Sequence, residues 1–132
     1  MAELSESAVR LLKGKNLAYL ATINDDGSPH VAPTWVDVDP KRGLILINTA
    51  DGRKKVRNIR RDPRVAISSH DVERPYPPLV VRGTVVDIVT EGALEHIDFL
   101  SRKYDDEPWR AVEGQVRLIL EIKPDRVRYL DR

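Results

Sequence analysis

The chain has 132 residues, of which 41% are hydrophobic, 33% charged and 5% aromatic, and 22 Lys and Arg against 21 Asp and Glu leave a formal net charge of +1. That length suits one domain and is short for two, and a chain of this size can bury roughly two thirds of the surface it exposes when unfolded. The absence of cysteine excludes disulfide scaffolds, thiol catalysis and cysteine-ligated zinc.

The first apolar stretch runs for about seven residues, too few to cross a bilayer, and lacks the basic-then-apolar order of a signal peptide, so residues 1–132 read as one soluble, cytoplasmic domain. Ser5 is placed to cap a short helix in which Val9 and Leu12 recur three apart, with Gly14 at its expected end. The pattern then changes to strands. An apolar run over 17–23 leads into Asn24, Asp25, Asp26, Gly27, Ser28 and Pro29, a dense turn signal, and a second strand follows over 30–38. Pro33 removes a ladder donor from that strand, which places it at an edge or bulge. A turn at 39–43 precedes a third strand over 44–49.

The segment after Gly52 carries seven basic residues, Arg53, Lys54, Lys55, Arg57, Arg60, Arg61 and Arg64, against the single acid Asp62. Val56 and Ile59 are three apart, which predicts a short helix with a thin apolar stripe, ended by Asp62 and Pro63. Strands are predicted over 65–69 and 79–89, the second containing Gly83 as the mark of a bulge or a close backbone approach. A helix over 91–104 presents Leu94, Ile97, Leu100 and Tyr104 on one face, and strands over 116–122 and 127–130 close the chain. Six or seven short strands, mostly joined as hairpins with three helices in the connections, argue for a small antiparallel α+β barrel and against a βαβ nucleotide-binding fold.

Three histidines, at 30, 70 and 96, have no partner at helical ligand spacing, and the motifs of a nucleophile elbow, a P-loop or a dinucleotide turn are missing. Asp105 and Asp106 read as solvated charge in a linker. Arg53, Lys54 and Lys55 gather at a helix N-terminus, where cations oppose the macrodipole unless an anion sits there. A phosphate is one explanation of that cluster, a solvated basic helix another. Nucleic acid is a third, against which the few aromatics and the missing stacking motif speak.

Gly27, Pro29, Pro33 and Trp35, then Ile47, Asn48 and Thr49, then Arg53, Lys55, Asn58, Ile59, Asp62, Pro63, Arg64 and Val65, form a spaced series. It resembles the split-barrel flavin-binding superfamily of pyridoxamine 5′-phosphate oxidases, and within it the actinobacterial branch that uses the deazaflavin coenzyme F420. The resemblance implies a six-stranded antiparallel split β-barrel with short connecting helices, and a homodimer whose two cofactor sites lie at the interface. By position, Lys55 matches the lysine holding the cofactor phosphate, with Arg53 and Lys54 beside it and Asn48, Thr49 and Asn58 in the same motif. Pro33, Thr34, Trp35 and Val36 match the strand along the ring system, and Tyr76, Pro77, Pro78 and Leu79 the loop closing over it. Arg57, Arg60 and Arg61 suit the acidic F420 tail.

The implied activity is hydride transfer from reduced F420 to a small conjugated electrophile, such as a biliverdin-like tetrapyrrole, a quinone or an unsaturated lactone. The hydride comes from the cofactor, so no side chain is assigned as catalytic; solvent or a polar group such as Tyr76 supplies the proton. Neither a metal, nor nucleic acid, nor a membrane is expected as partner. The alternatives are an FMN-dependent oxidase of the same fold and a non-catalytic flavin or F420 carrier. A C-terminal Trp and Arg segment that engages substrate in the vitamin B6 oxidases has no counterpart here, and Trp109 reads as core or dimer packing.

Overall fold

The computed structural model describes residues 2–129, in the order α1 (Glu6–Lys13), β1 (Ala18–Ile23), β2 (Pro29–Thr34), β3 (Asp37–Asp39), β4 (Leu44–Ala50), α2 (Lys54–Arg61), β5 (Arg64–Ser69), β6 (Leu79–Val89), α3 (Ala93–Asp105) and β7 (Arg117–Arg128). All pairings are antiparallel, in a seven-stranded sheet ordered β2-β1-β5-β6-β7-β4-β3. The first and last strands of that order are consecutive in the chain and are joined by Trp35 and Val36 alone. A link of two residues spans only about 10 Å, so the sheet must curl until its two edges meet. The result is a barrel split at the β2/β3 seam.

This seam revises the second predicted strand. The run over 30–38 is two strands on opposite edges, because Pro33 offers no ladder donor and Val36 N–H donates to the Tyr104 hydroxyl at 3.2 Å. Pro33 does lie on an edge strand, as its lost donor requires. The two strands expected at the C-terminus are one. β7 runs through Pro124, which sits opposite Gly83 where the β6–β7 register shifts; Leu130, the predicted last strand residue, lies outside the described residues. A Cβ on Gly83 would come within 2.8 Å of Lys123 O and 2.9 Å of Ile122 Cγ2, so the glycine is there for close backbone approach.

Ser5 caps α1, its hydroxyl accepting from Ala8 N–H at 3.2 Å. Leu11, Leu12, Leu20, Ile45, Ile47, Ile67, Val81 and Ile122 form the barrel core, and Ile59 of α2 seals one end of it. α3 starts two residues later than the sequence suggests, at Ala93, and buries Ile97, Leu100 and Tyr104. Leu94 is 60% exposed, contrary to its predicted place on the buried face. Asp105 ends α3 and Asp106 caps it in a left-handed conformation, φ 58°. Cross-strand register puts Asp37, Leu46 and Glu121 in one row and Asn48 and Ile119 in the next on the same face, the side on which α3 packs.

Candidate functional site

Where β2 turns the corner into β3, beside the end of β4 and the start of α2, the surface opens into a cleft of about 330 Å³. Pro33, Thr34 and Trp35 of the corner form one wall, Asn48, Thr49, Arg53 and Lys55 another, and Leu17, Ile97, Trp109 and Arg117 complete it. Thr34 is tied to β1 by its hydroxyl, which donates to Ala18 O at 3.0 Å. Trp35 is fixed by aromatic neighbours, stacked on Tyr104 at 5.4 Å between centroids and met edge-on by Trp109 at 6.4 Å. Behind it the Tyr104 hydroxyl donates to Asn16 O at 2.6 Å, and burial pushes its pKa up to about 12.

Three cations face this space, Arg53, Lys55 and Arg117, and no carboxylate lines it. Among the described residues none of the three is within ion-pair distance of an acid. Burial, then Arg53, then Arg117 lower the Lys55 pKa, and burial followed by Arg53 lowers that of Arg117. Uncompensated like charge in a half-buried cleft is costly in the free protein and favourable once an anion enters.

The α2 terminus adds to this potential. Gly52 turns the chain with φ 88°, a conformation that a side chain would strain. Arg53 is the N-cap, no side chain caps the helix, and its first turn holds no acid, so the positive end of the helix dipole is unneutralised. The indole N–H of Trp109 is buried without a hydrogen-bond partner. Three cations without a counter-ion beside two tryptophans suit a ligand with a flat ring system and an anionic group.

The remaining residues from the sequence reading lie elsewhere. Lys54, Asn58 and Arg61 border a second depression with Asp25 and Asp26. Asn58 is buried and donates to Thr22 Oγ1 and Asn24 Oδ1, both at 3.0 Å, which makes it a tie between α2 and β1. Arg60 reaches toward Asp51 at 3.7 Å and Arg61 toward Asp25 at 3.9 Å. Val36 and Leu79 are fully buried in the core. Tyr76, Pro77 and Pro78 belong to the loop before β6, outside the cleft lining, with Tyr76 74% exposed.

Arg117 and Trp109 line the cleft, and the sequence reading gave neither of them a place in a site. Arg117 lies 69 positions from Asn48, to which it is bonded, and no local spacing announces so distant a contact. Its only trace is a basic residue directly ahead of the apolar run Leu118, Ile119 and Leu120. A larger depression, of about 610 Å³, lies between the N-terminal residues and the β3–β4 turn. Glu3, Glu6, Arg10, Lys41 and Arg42 give it charges of both signs, and no aromatic residue faces it, so the smaller cleft is the candidate site.

A family profile described as pyridoxamine 5′-phosphate oxidase matches residues 4–131. The F420H(2)-dependent biliverdin reductase of Mycobacterium tuberculosis (strain CDC 1551 / Oshkosh) is 34% identical over 127 residues, covering 94% of this chain and 86% of that protein. A 5a,11a-dehydrotetracycline/5a,11a-dehydrooxytetracycline reductase of Streptomyces rimosus subsp. rimosus is 32% identical over 94 residues, or 67% of this chain; the match spans just under two thirds of that relative, 66%. A solved structure named F420 Reductase superposes with a TM-score of 0.82 at 31% identity, covering 95% of this chain and 98% of the other.

Proposed function

The chain belongs to the pyridoxamine 5′-phosphate oxidase family, and from that premise we propose that it is an F420H2-dependent reductase acting on a small conjugated electrophile. The observation that carries this reading is the cleft in which Arg53, Lys55 and Arg117 stand without a counter-ion beside Trp35 and Trp109. Relatives named for F420H2-dependent reduction support the choice of cofactor. The acceptors named for two of them, biliverdin and a dehydrotetracycline, are both conjugated, and this supports the substrate class.

Bound in the cleft, reduced F420 would supply the hydride. Lys55 and Arg53 would hold its phosphate with the positive end of α2, and Arg117 would meet a second anionic or carbonyl oxygen. Trp35 and Trp109 would flank the ring. The corner residues Pro33 and Thr34 exclude water from one side, so an acceptor approaches from the open side.

We further propose a homodimer that completes this site. Pro33, Tyr19, Ser68 and Val80 lie in one cross-strand row, and Val31, Ala21 and Ala66 in the next on the same face. Val31 is 63% exposed and Tyr19 and Val80 are about 40% exposed, a mainly apolar strip, interrupted by Ser68 and bounded by Arg82 opposite Ala66, that continues into the cleft through Pro33. A second copy seated there would bring its own loop of Tyr76, Pro77 and Pro78 toward the cofactor.

The decisive experiment titrates the purified protein with F420 and with FMN, then mixes the F420H2 complex with biliverdin and quinone acceptors. Saturable F420 binding with acceptor-dependent oxidation of F420H2 is the expected outcome. Tight FMN binding without F420 binding would replace the reading with the flavin-dependent one, and binding without turnover of any acceptor would leave a carrier.

A further inference from the structure

Arg117 is held in one pose before any ligand arrives. Its Nε donates to Asn48 Oδ1 at 3.0 Å, one Nη1 proton goes to Gln115 Oε1 at 3.1 Å, and the guanidinium lies 4.9 Å above the Trp109 ring. Asn48 is in turn fixed from behind. Its Nδ2 faces Ala93 O at 2.9 Å and His96 Nδ1 at 3.2 Å. A backbone carbonyl only accepts, so Ala93 decides which end of the amide is nitrogen, and the nitrogen's other proton makes His96 Nδ1 an acceptor. The imidazole proton then sits on Nε2, which donates to Asp37 Oδ2 at 3.2 Å.

The donors therefore run one way, from Arg117 on β7 to Asn48 on β4, His96 on α3 and Asp37 on β3. Only Arg117 and Asn48 line the cleft. The His96 and Asp37 side chains are 11% and 16% exposed. Burial by itself would raise the Asp37 pKa, but hydrogen bonds from His96 and the Val38 N–H outweigh it and hold the carboxyl below its ordinary value.

We propose that His96 is a positioning residue which orients the Asn48 amide and, through it, aims Arg117 at the anionic group taken by the cleft. The proposal rests on reading the cleft as an anion site, with F420 as the expected occupant. Were the imidazole lost, the Ala93 carbonyl alone would hold the Asn48 nitrogen, and with one of its two acceptors gone the amide would be freer to turn away from Arg117 Nε and release the guanidinium to many rotamers. Binding would then have to order it, at a cost in affinity.

A double-mutant cycle tests this. Dissociation constants for inorganic pyrophosphate and for F420 are measured on the full chain from the fluorescence of Trp35 and Trp109, for wild type, His96→Leu, His96→Gln, Arg117→Met and the His96→Leu/Arg117→Met pair. Arg117→Met is expected to weaken both ligands roughly ten- to hundredfold, and His96→Leu roughly three- to tenfold. His96→Gln, whose amide can accept from Asn48 and donate to Asp37, should recover most of that loss. The double variant should bind no worse than Arg117→Met alone. Additive losses, no rescue by glutamine, or wild-type affinity in His96→Leu would overturn the proposal. Asp37→Ala, which removes the acceptor holding the His96 ring through Nε2, takes the place of His96→Leu if that variant does not fold. Pyrophosphate binding without F420 binding would sink the cofactor reading alone, while the same cycle on pyrophosphate still judges His96; binding of neither would end both.

Discussion

Replacing Lys55 with methionine separates a ligand-binding cation from a structural one, because the two roles predict effects of opposite sign. Methionine keeps an unbranched apolar stem in the half-buried position and removes only the ammonium group. In the free protein that ammonium is desolvated and repelled by Arg53 and Arg117, with no acid lining the cleft to offset them. Lys55→Met is therefore expected to leave the thermal midpoint unchanged or to raise it by a few degrees, since 1 kcal/mol moves the midpoint of a domain of this size by roughly 2–8 °C. Binding should respond the other way. A hydrogen bond to a charged group contributes about 1.5–3 kcal/mol, so the dissociation constant for F420 should rise roughly ten- to hundredfold. Both tryptophans of the chain line the cleft, so their fluorescence follows occupancy while calorimetry follows the midpoint. The slope of affinity against salt concentration should also fall in the variant. Unchanged affinity together with a midpoint several degrees lower would refute the reasoning and make Lys55 part of the scaffold.

Gly83→Ala would push a methyl group against Lys123 O at 2.8 Å, and urea unfolding should register a loss of about 1–3 kcal/mol. Asn58→Ala removes the amide ties from α2 to Thr22 of β1 and to Asn24 in the turn after it and leaves the Thr22 hydroxyl unpaired; it should cost about 1–3 kcal/mol of stability with F420 affinity within about twofold of wild type once folded, whereas a large affinity loss in a stable variant would restore Asn58 to the site. Lys103 donates to Leu12 O at 2.9 Å and Val36 O at 2.8 Å, and burial lowers its pKa to about 8. Between pH 8 and the unfolded value near 10.4 the unfolded chain binds more protons than the folded one, so this group's contribution to stability rises with pH across that window. Denaturation of wild type and Lys103→Met at pH 7 and pH 9.5 should show the difference shifting toward wild type by at most about 2 kcal/mol; a pH-independent difference would show that Lys103 titrates normally.

Local chemistry accounts for the features legible in the sequence. The Ser5 cap, the turn at Asn24 to Pro29, the basic α2 with Val56 and Ile59 inward, and the Gly83 irregularity each depend on neighbours a few residues away, where propensity and periodicity act directly. The spaced motif carried the fold and the half of the cleft formed by Pro33, Thr34, Trp35, Asn48, Thr49, Arg53 and Lys55.

Chain closure decided the rest. Because β2 and β3 lie at opposite edges of the sheet, the continuous strand suggested by the sequence breaks at Trp35 and Val36, and that corner is where the cleft opens. The same curling brings Trp109 and Arg117 against residues far earlier in the chain and stacks Asp37, His96 and Asn48 behind them. Asn58 shares the motif with Lys55, yet helical spacing of three turns it inward to Thr22. The sequence by itself determined that cations would gather at the start of a helix that follows a strand and a glycine turn. Only the tertiary structure determined which cations converge and what holds them, because strand pairing across 69 residues, with no local signal, set the distances between them.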